Sequence, residues 1–160
     1  MAVRRIAQRA FTLVEILIVV TILGILAAIV VPGYVGAMDE TSRGAFIADL
    51  KIFSDAAALY YARTGDYLED TDSGVLPTGF DQYVDEIRWT TGTPIGGVWD
   101  AEQYDLGGVA SAIGVDFDGT GMTRDDAYML TIDQTFDDGD LSSGLFQKFG
   151  DTQYYYIVDP

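Results

Sequence analysis

The feature that most constrains this chain is an apolar run near its N-terminus. From Ile16 to Met38 there are 23 consecutive residues without a charged side chain. An α-helix rises about 1.5 Å per residue, so about 20 apolar residues suffice to span the hydrocarbon core of a bilayer. The run therefore predicts a helix that can cross a membrane.

Charge is distributed unevenly on the two sides of this run. Arg4, Arg5 and Arg9 precede it, whereas Asp39 and Glu40 follow it directly. Positive flanking charge stays in the cytoplasm, which predicts a cytoplasmic N-terminus and an extracytoplasmic remainder. After residue 36 there are 24 Asp and Glu against six Lys and Arg, a formal charge of −18. Such a surface repels phosphate backbones, so nucleic-acid binding is not expected.

The composition also excludes several kinds of active site. The chain has no Cys and no His. Disulfide bonds, Ser/His/Asp and Cys/His catalytic units and histidine-bound zinc are therefore excluded, and we do not expect an enzyme.

A carboxylate, Glu15, stands at the beginning of the apolar segment. A carboxylate at the centre of a membrane helix costs about 2.5 to 3.5 kcal/mol, and less near the interface, so its presence suggests a partner. No Lys or Arg lies between residues 10 and 42. A newly exposed α-amino group would be a suitable partner. A secretory signal with small residues at Val35-Gly36-Ala37 is the rival interpretation, but it explains neither the length of the run nor Glu15.

The residues Ala10-Phe11-Thr12-Leu13-Val14-Glu15, after a short basic leader, resemble the processing site of type IV prepilins and of type II secretion pseudopilins. The resemblance implies that prepilin peptidase cuts between Ala10 and Phe11 and that Phe11 is then N-methylated. It also implies that Glu15 pairs with the N-terminal amine of a neighbouring subunit during filament assembly. In low dielectric such a pair selects the alignment of subunits, because either charge alone pays its full desolvation. The family prefers Gly before the cut, where this chain has Ala10.

Two residues inside the run match positions where helices of this family carry Gly or Pro, namely Gly24 and Pro32. Proline removes one backbone hydrogen bond and so predicts a helix kink at Pro32, by a bend or by local melting of the helix. A simple kink where the helix leaves the membrane is an equal alternative.

Beyond the apolar run the pattern becomes one-sided. Apolar residues recur at spacings of three and four, at Phe46, Leu50, Phe53, Ala57 and Tyr60. This predicts that one helix extends from Thr12 to Arg63, ending at Gly65, with an amphipathic second half that needs a cover.

The cover is predicted to be a β-sheet, because short aromatic and β-branched runs alternate with turn residues in the C-terminal half. Strands are expected near 86–90, 97–100, 103–106, 111–117, 144–149 and 153–158. A helical turn is expected around Phe80 to Val84 in an otherwise irregular loop. A short helix after the capping-box spacing at Thr123, ending at Gly139, competes with a strand through Tyr128 to Ile132.

The expected fold class is therefore α+β, with a long N-terminal helix packed on a small antiparallel sheet, as in pilins. The domains expected from the residues and the resemblance are a leader at 1–10, a transmembrane or filament-core helix at 11–38, and an extracytoplasmic globular part at 39–160.

Two clusters of carboxylates are candidate calcium sites, although no cofactor is certain. Asp116 and Asp118 partly match the ligand spacing of a calcium loop, but an EF-hand needs a Glu where this chain has Ala127. The second cluster consists of Asp137, Asp138 and Asp140 around a glycine. Solvated turns are the simpler interpretation of both.

The resemblance implies a structural subunit of a type IV pilus-like or type II secretion pseudopilus filament. Its partners would be homologous subunits, prepilin peptidase and an inner-membrane assembly platform. The chain would be held in the bacterial inner membrane as a single-pass protein before entering a pilus or periplasmic pseudopilus, a choice that the motif leaves open. The alternative is a membrane-anchored domain that binds calcium or another ligand and does not polymerise.

Overall fold

A computed structural model describes residues 11–104, 107–121 and 123–160. The chain divides into two units, one up to Asp39 and one from Glu40 to Pro160. The helices are α1 (Leu13–Thr64), α2 (Glu86–Thr90) and α3 (Asp126–Phe136), with a 3-10 turn at Phe80–Gln82. The strands are β1 (Val98–Glu102), β2 (Ser111–Asp116), β3 (Phe146–Lys148) and β4 (Gln153–Asp159). The predicted α+β class is confirmed.

The long helix has the predicted extent. It begins at Leu13 and ends at Thr64, one residue from each predicted end. Gly65 follows with φ +81°, a left-handed conformation that costs glycine little, and its N–H donates to the carbonyl of Tyr61 over 2.8 Å. The helix therefore stops where the sequence predicts.

Residues 40–64 of α1 form one wall of the core of the second unit. Phe46, Leu50 and Phe53 are fully buried. The Phe46 ring stacks on Trp99 of β1 with centroids 5.3 Å apart, and Phe53 meets the edge of the same indole at 4.8 Å. The amphipathic half of the helix is thus covered by the sheet, as its one-sided pattern requires.

The sheet is antiparallel throughout, with strand order β1-β2-β4-β3. Strand β2 lies between β1 and β4 and pairs Gly114 with Tyr155. A Cβ atom at Gly114 would lie 2.0 Å from the carbonyl oxygen of Tyr154, so only glycine fits here. The absence of a side chain at Gly114 therefore allows β2 to pair closely with β4 at Tyr155.

The predicted strand at 86–90 is wrong, because these residues form helix α2. Asp85 caps the helix by accepting a hydrogen bond from the N–H of Ile87 over 2.9 Å. The cap favours a helical turn that places Trp89 in the core and leaves Ile87 exposed. The apolar alternation of this short run did not distinguish the two states.

The strand predicted at 103–106 is also wrong as far as it is described. Gln103 and Tyr104 form a bend after β1, and Tyr104 has φ +61°, which ends the extended backbone. Residues 105 and 106 lie outside the described residues. The other four predicted strands correspond to β1 to β4.

The helix predicted after Thr123 is confirmed as α3, and the strand through Tyr128 to Ile132 is wrong. The cap, however, is Asp125, whose carboxylate accepts from the N–H of Tyr128 over 2.9 Å. The helix ends at Phe136, three residues before Gly139. Met129 and Ile132 are buried, as the helical spacing predicts.

Candidate functional sites

The first turn of α1 is a reciprocal capping box formed by Thr12 and Glu15. The backbone N–H and the hydroxyl of Thr12 each donate to Oε2 of Glu15 over 2.9 Å. The N–H of Glu15 donates in turn to the Thr12 hydroxyl over 3.2 Å. Glu15 therefore has donors within its own chain, which the search for a cationic partner overlooked. The Thr-x-x-Glu spacing, a capping-box signature, was visible in the sequence.

The large apolar side chains of α1 before Asp39 that the structure describes are exposed. They are Leu13, Val14, Ile16, Leu17, Ile18, Val19, Val20, Ile22, Leu23, Ile25, Leu26, Ile29, Val30, Val31, Tyr34 and Met38. By length and composition, α1 is long and apolar enough to cross a membrane. A secretory signal would pass the same test, so this property alone does not decide between anchor and signal.

The remaining predicted residues of this segment are placed only in part. Ala10 lies outside the described residues. Phe11 is exposed and lies two residues before the start of α1. The backbone of α1 is helical on both sides of Pro32 and at Pro32 itself, so the helix does not melt there. A bend at Pro32 stays a prediction.

Asp116 lies in a buried hydrogen-bond network at the end of β2. Its Oδ2 accepts from the Ser73 hydroxyl at 3.0 Å and from the Gln153 amide at 3.2 Å. Its Oδ1 accepts from the N–H of Asp118 at 2.8 Å and from the Thr152 hydroxyl at 3.2 Å. Because protein donors surround this carboxylate, its geometry is that of a structural side chain.

Asp100 of β1 is the acidic neighbour of Asp116 in this network. Its Oδ2 accepts from the Tyr155 hydroxyl at 2.6 Å and lies 3.1 Å from the hydroxyl oxygen of Ser73, whose single proton it shares with Asp116. Burial raises the pKa of Asp100, and the charge of Asp116 adds to the increase, whereas the hydrogen bonds from Tyr155 and Ser73 oppose it. Asp118 is exposed and its side chain does not join this pair in a three-ligand group among the described residues.

The second predicted cluster is rearranged around a residue that the sequence analysis missed. Asp133, Asp137 and Asp138 each offer a carboxylate oxygen within 4.8 Å of the others, and Asp133 has no accessible surface. Asp140 turns elsewhere, because its Oδ1 accepts from the backbone N–H and the hydroxyl of Ser142, which lower its pKa. Asp133 stands four residues before Asp137, one helical turn away, and this spacing was the available signal.

The N-terminal segment matches a known family model. The model is described as the prokaryotic N-terminal methylation motif, and it matches residues 5–31. This chain carries a prokaryotic N-terminal methylation motif. The match includes the Ala10-Phe11 junction, Glu15 and Gly24, on which the resemblance to prepilins was based, and that resemblance is confirmed.

Known proteins similar to the chain include type II secretion proteins and a fimbrial protein. Type II secretion system core protein G of Klebsiella michiganensis is 42% identical over 57 residues, which are 36% of this chain and 40% of that protein. Core protein G of Vibrio cholerae is 35% identical over 68 residues, 42% of this chain and 46% of that protein. Fimbrial protein Q of Moraxella bovis is 38% identical over 80 residues, 46% of this chain and 51% of that protein.

The chain therefore spans about two fifths to one half of the length of these relatives. Because both a secretion protein and a fimbrial protein are similar to it, the comparison leaves the choice between pseudopilus and pilus open. The methylation motif fits a protein anchored in the inner membrane by its apolar helix.

Proposed function

We propose that this protein is a structural subunit of a type IV pilus-like or type II secretion pseudopilus filament. The observation that carries the proposal is the exposed apolar surface of α1 between Leu13 and Met38, most of which lies within the stretch that the methylation motif matches, residues 5–31. Apolar surface of this extent is stable only in lipid or against other apolar surface. The membrane would hold the subunit before assembly, and the helices of neighbouring subunits would cover the same surface in the filament.

Processing is the first step of this proposal. Prepilin peptidase would cut between Ala10 and Phe11 and methylate the new amine of Phe11, leaving the apolar helix attached. The chain would then be anchored with its N-terminus in the cytoplasm and its acidic unit outside. Homologous subunits and an inner-membrane assembly platform would be its partners during extraction from the membrane.

Glu15 would act in the next step, in which a subunit aligns with its neighbour. Its carboxylate accepts two hydrogen bonds from Thr12, which hold it beside the N-terminal end of α1. A carboxylate fixed there in low dielectric attracts an ammonium group strongly, because little solvent screens the pair. The amine that cleavage frees at the Phe11 of a neighbour would supply that charge.

The capping box makes the test sharper than removal of Glu15 alone. Glu15→Ala would remove both the charge and the cap, whereas Glu15→Gln keeps an acceptor for the capping box and removes only the charge. Thr12→Ala is the matched control, since it weakens the cap and leaves the charge in place. We expect Glu15→Gln to be processed and inserted normally but to lose incorporation into filaments, and Thr12→Ala to be incorporated.

The measurements are N-terminal sequencing and intact mass of the membrane-extracted protein, followed by the recovery of each variant in sheared or cross-linked filaments. A mature protein that begins with methylated Phe11 supports the proposal. A native N-terminus after Ala37 would identify a secretory signal instead. If Glu15→Gln assembles like the unmodified protein, charge pairing is wrong and Glu15 serves the cap alone.

The alternative function is a membrane-anchored domain that binds calcium or another ligand and does not polymerise. In that case, all three N-terminal variants would remain monomeric in the membrane, as would the unmodified protein.

A further inference from the structure

Two buried carboxylates lie on the face of the sheet that is turned away from α1. Trp99 packs on α1, and side chains alternate along a strand, so its neighbour Asp100 points to the opposite face. Asp100 is 3% exposed and Asp116 is 5% exposed. Residues 71–75, the Ser73 loop, cover them there. The Ser73 hydroxyl contacts both carboxylates, and the N–H of Gly74 donates to the carbonyl of Trp99 over 2.8 Å.

A tyrosine reaches the same carboxylates from β4 across strand β2. Gly114 lies between Asp100 and Tyr155 in the register of the sheet. A Cβ atom at Gly114 would lie 2.7 Å from the Tyr155 ring, so the glycine leaves room for this ring. The Tyr155 hydroxyl then lies 2.6 Å from Oδ2 of Asp100 and 3.1 Å from Oε1 of Glu102. This hydroxyl is therefore shared between two acids, as is that of Ser73.

The two hydroxyl groups supply too few protons for their contacts with the acids. Four oxygen–oxygen contacts of 2.6 to 3.1 Å join them to the carboxylates of Asp100, Asp116 and Glu102. A hydroxyl has one proton, so only two of the four contacts are hydrogen bonds at any one time. In the other two contacts, lone pairs face each other unless a further proton is present. The network therefore has room for an additional proton.

Asp100 is the buried acid that most lacks donors. Asp116 accepts from four donors, namely two hydroxyls, one side-chain amide and one backbone N–H, which is the pattern of an ionised structural carboxylate. Apart from the two shared hydroxyls, Asp100 accepts only from the N–H of Ala101, at 3.1 Å. A proton on Oδ2 of Asp100 would be donated to the Ser73 oxygen, and Ser73 would then donate to Asp116 without interruption.

The charge around Asp100 favours the same position for the proton. The groups that face it are acids or hydroxyls, namely Asp116 of β2, Glu102 of β1, Tyr155 of β4 and Ser73 of the covering loop. The ion pairs seen among the described residues do not include Asp100 or Asp116. Burial raises the pKa of Asp100, and the negative charge of Asp116 contributes to the increase.

We propose that Asp100 carries a proton in the folded protein and that this proton makes the attachment of the Ser73 loop to the sheet sensitive to pH. While Asp100 is protonated, the hydrogen bonds from Asp100 through Ser73 to Asp116 are complete. When the pH is high enough to ionise Asp100, two carboxylates oppose each other across one hydroxyl, and the loop is loosened. Folding of the second unit is sufficient for this device, which does not depend on filament assembly.

The sign of the pH dependence follows from the direction of the pKa. In the folded protein the pKa of Asp100 lies above its ordinary value of about 3.9, which applies to the unfolded chain. The stabilisation from its proton is therefore complete below the unfolded pKa and is lost as the pH rises through the folded pKa. For each tenfold difference in proton affinity between the two states, the unfolding constant changes by up to about tenfold over this range.

The test follows thermal unfolding of the full chain in detergent by tryptophan fluorescence, from about pH 5 to about pH 8. Asp100→Asn is the central variant, because its amide nitrogen has two protons that do not titrate, one for each shared hydroxyl, and so completes all four contacts. Its Tm should exceed that of the unmodified chain at the alkaline end, and the difference should shrink toward the acidic end. Asp81→Asn removes one charge at an exposed position outside the network and should follow the unmodified chain.

Two measurements on the unmodified chain keep the test decisive if Asp100→Asn folds poorly. The ¹³C NMR shift of the Asp100 carboxyl should keep the value of the neutral acid to a higher pH than that of Asp81. The hydrogen-exchange protection of the Gly74 N–H, corrected for the intrinsic effect of pH, should fall as Asp100 ionises. In Asp100→Asn this protection should stay constant.

The proposal is overturned if Asp100 is already ionised at about pH 5, or if the difference in Tm between Asp100→Asn and the unmodified chain does not vary with pH. It is also overturned if Asp100 titrates while the protection of Gly74 stays constant, because the proton then does not hold the loop. Asp116→Asn turns an amide toward hydrogen-bond donors and should lower Tm throughout the range. If Asp116→Asn is instead stable and insensitive to pH, the proton lies on Asp116 and the assignment to Asp100 is wrong.

Discussion

The first and second halves of α1 belong to one helix but have opposite surroundings. From Leu13 to Met38, the apolar side chains that the structure describes are exposed, with Ile29 at 72%. From Glu40 onward, one face of α1 carries buried apolar residues, with Phe46 at 0%, whereas Ile52 and Leu59 are each 45% exposed. A helix with apolar residues on one face needs only one covering layer, which the same chain can supply. A helix with apolar residues on every face needs apolar surroundings on all sides. The second half is therefore completed by the sheet, and the first half only by lipid or other subunits.

The largest expected difference between the two halves is the cost of removing an apolar side chain. Phe53→Ala leaves a cavity between Trp89 and Trp99 and should lower the free energy of unfolding of the second unit by about 3 to 5 kcal/mol. Ile29→Ala should leave it unchanged. Denaturant unfolding of the detergent-purified protein, followed by tryptophan fluorescence, measures both. An equal loss in Ile29→Ala would show that the first half is packed within the chain after all.

A charge introduced at matched exposed isoleucines should give the next largest effect. Ile25 is 63% exposed and Ile52 is 45% exposed. Ile25→Lys should weaken membrane insertion by about 2.5 to 3.5 kcal/mol, because it places an ammonium group in hydrocarbon. Ile52→Lys should change stability by less than about 0.5 kcal/mol, since its side chain already meets water.

The readout is the fraction of protein that resists alkaline extraction from membranes, with unfolding as the control for the second unit. If Ile25→Lys remains membrane-bound like the unmodified chain, the first half of α1 does not require an apolar surrounding at this position. If Ile25→Lys is extracted but retains a normally folded second unit, the different requirements of the two halves are supported.

The smallest effect is expected from adding one methyl group to a glycine in each region. Gly114→Ala forces a Cβ atom against the backbone of Tyr154 and should destabilise the second unit by about 1 to 3 kcal/mol. Gly24→Ala meets nothing within 4 Å and should leave unfolding of that unit within about 0.5 kcal/mol. Both are measured by denaturant unfolding. If Gly114→Ala is as stable as the unmodified chain, β2 and β4 are not as close as the structure has them.

Much of the fold was predictable because its signals are local and periodic. The extent of α1 follows from the change between an all-round and a one-sided pattern, with Gly65 as its stop. The four strands follow from aromatic and β-branched runs between turn residues. The errors fell on short segments, where five residues such as 86–90 are compatible with a helix or a strand and a single cap at Asp85 decides.

The candidate sites were likewise predictable where their residues are contiguous in the sequence, and not where folding brings the residues together. The methylation motif is a contiguous stretch and was found from the residues alone, although the capping role of Glu15 was missed. The convergence of Asp133 with Asp137 and Asp138 was only partly found, since Asp133 is a helix residue and its burial depends on what packs on α3. Asp116 seemed available for a metal, but Ser73, Thr152 and Gln153 from other parts of the chain supply its hydrogen bonds.

The sequence by itself determined where this protein has apolar surface on all sides, because the absence of charge over 23 residues does not depend on any contact. It also determined the motif that includes Phe11 and Glu15, because a contiguous motif depends only on the order of the residues. Only the tertiary structure decided which carboxylates are satisfied and which converge. Asp116 and Asp133 are chemically identical side chains, but the donors of Asp116 come from segments distant in the chain and the burial of Asp133 depends on what packs on α3, so hydrogen bonding and burial separate them only after folding.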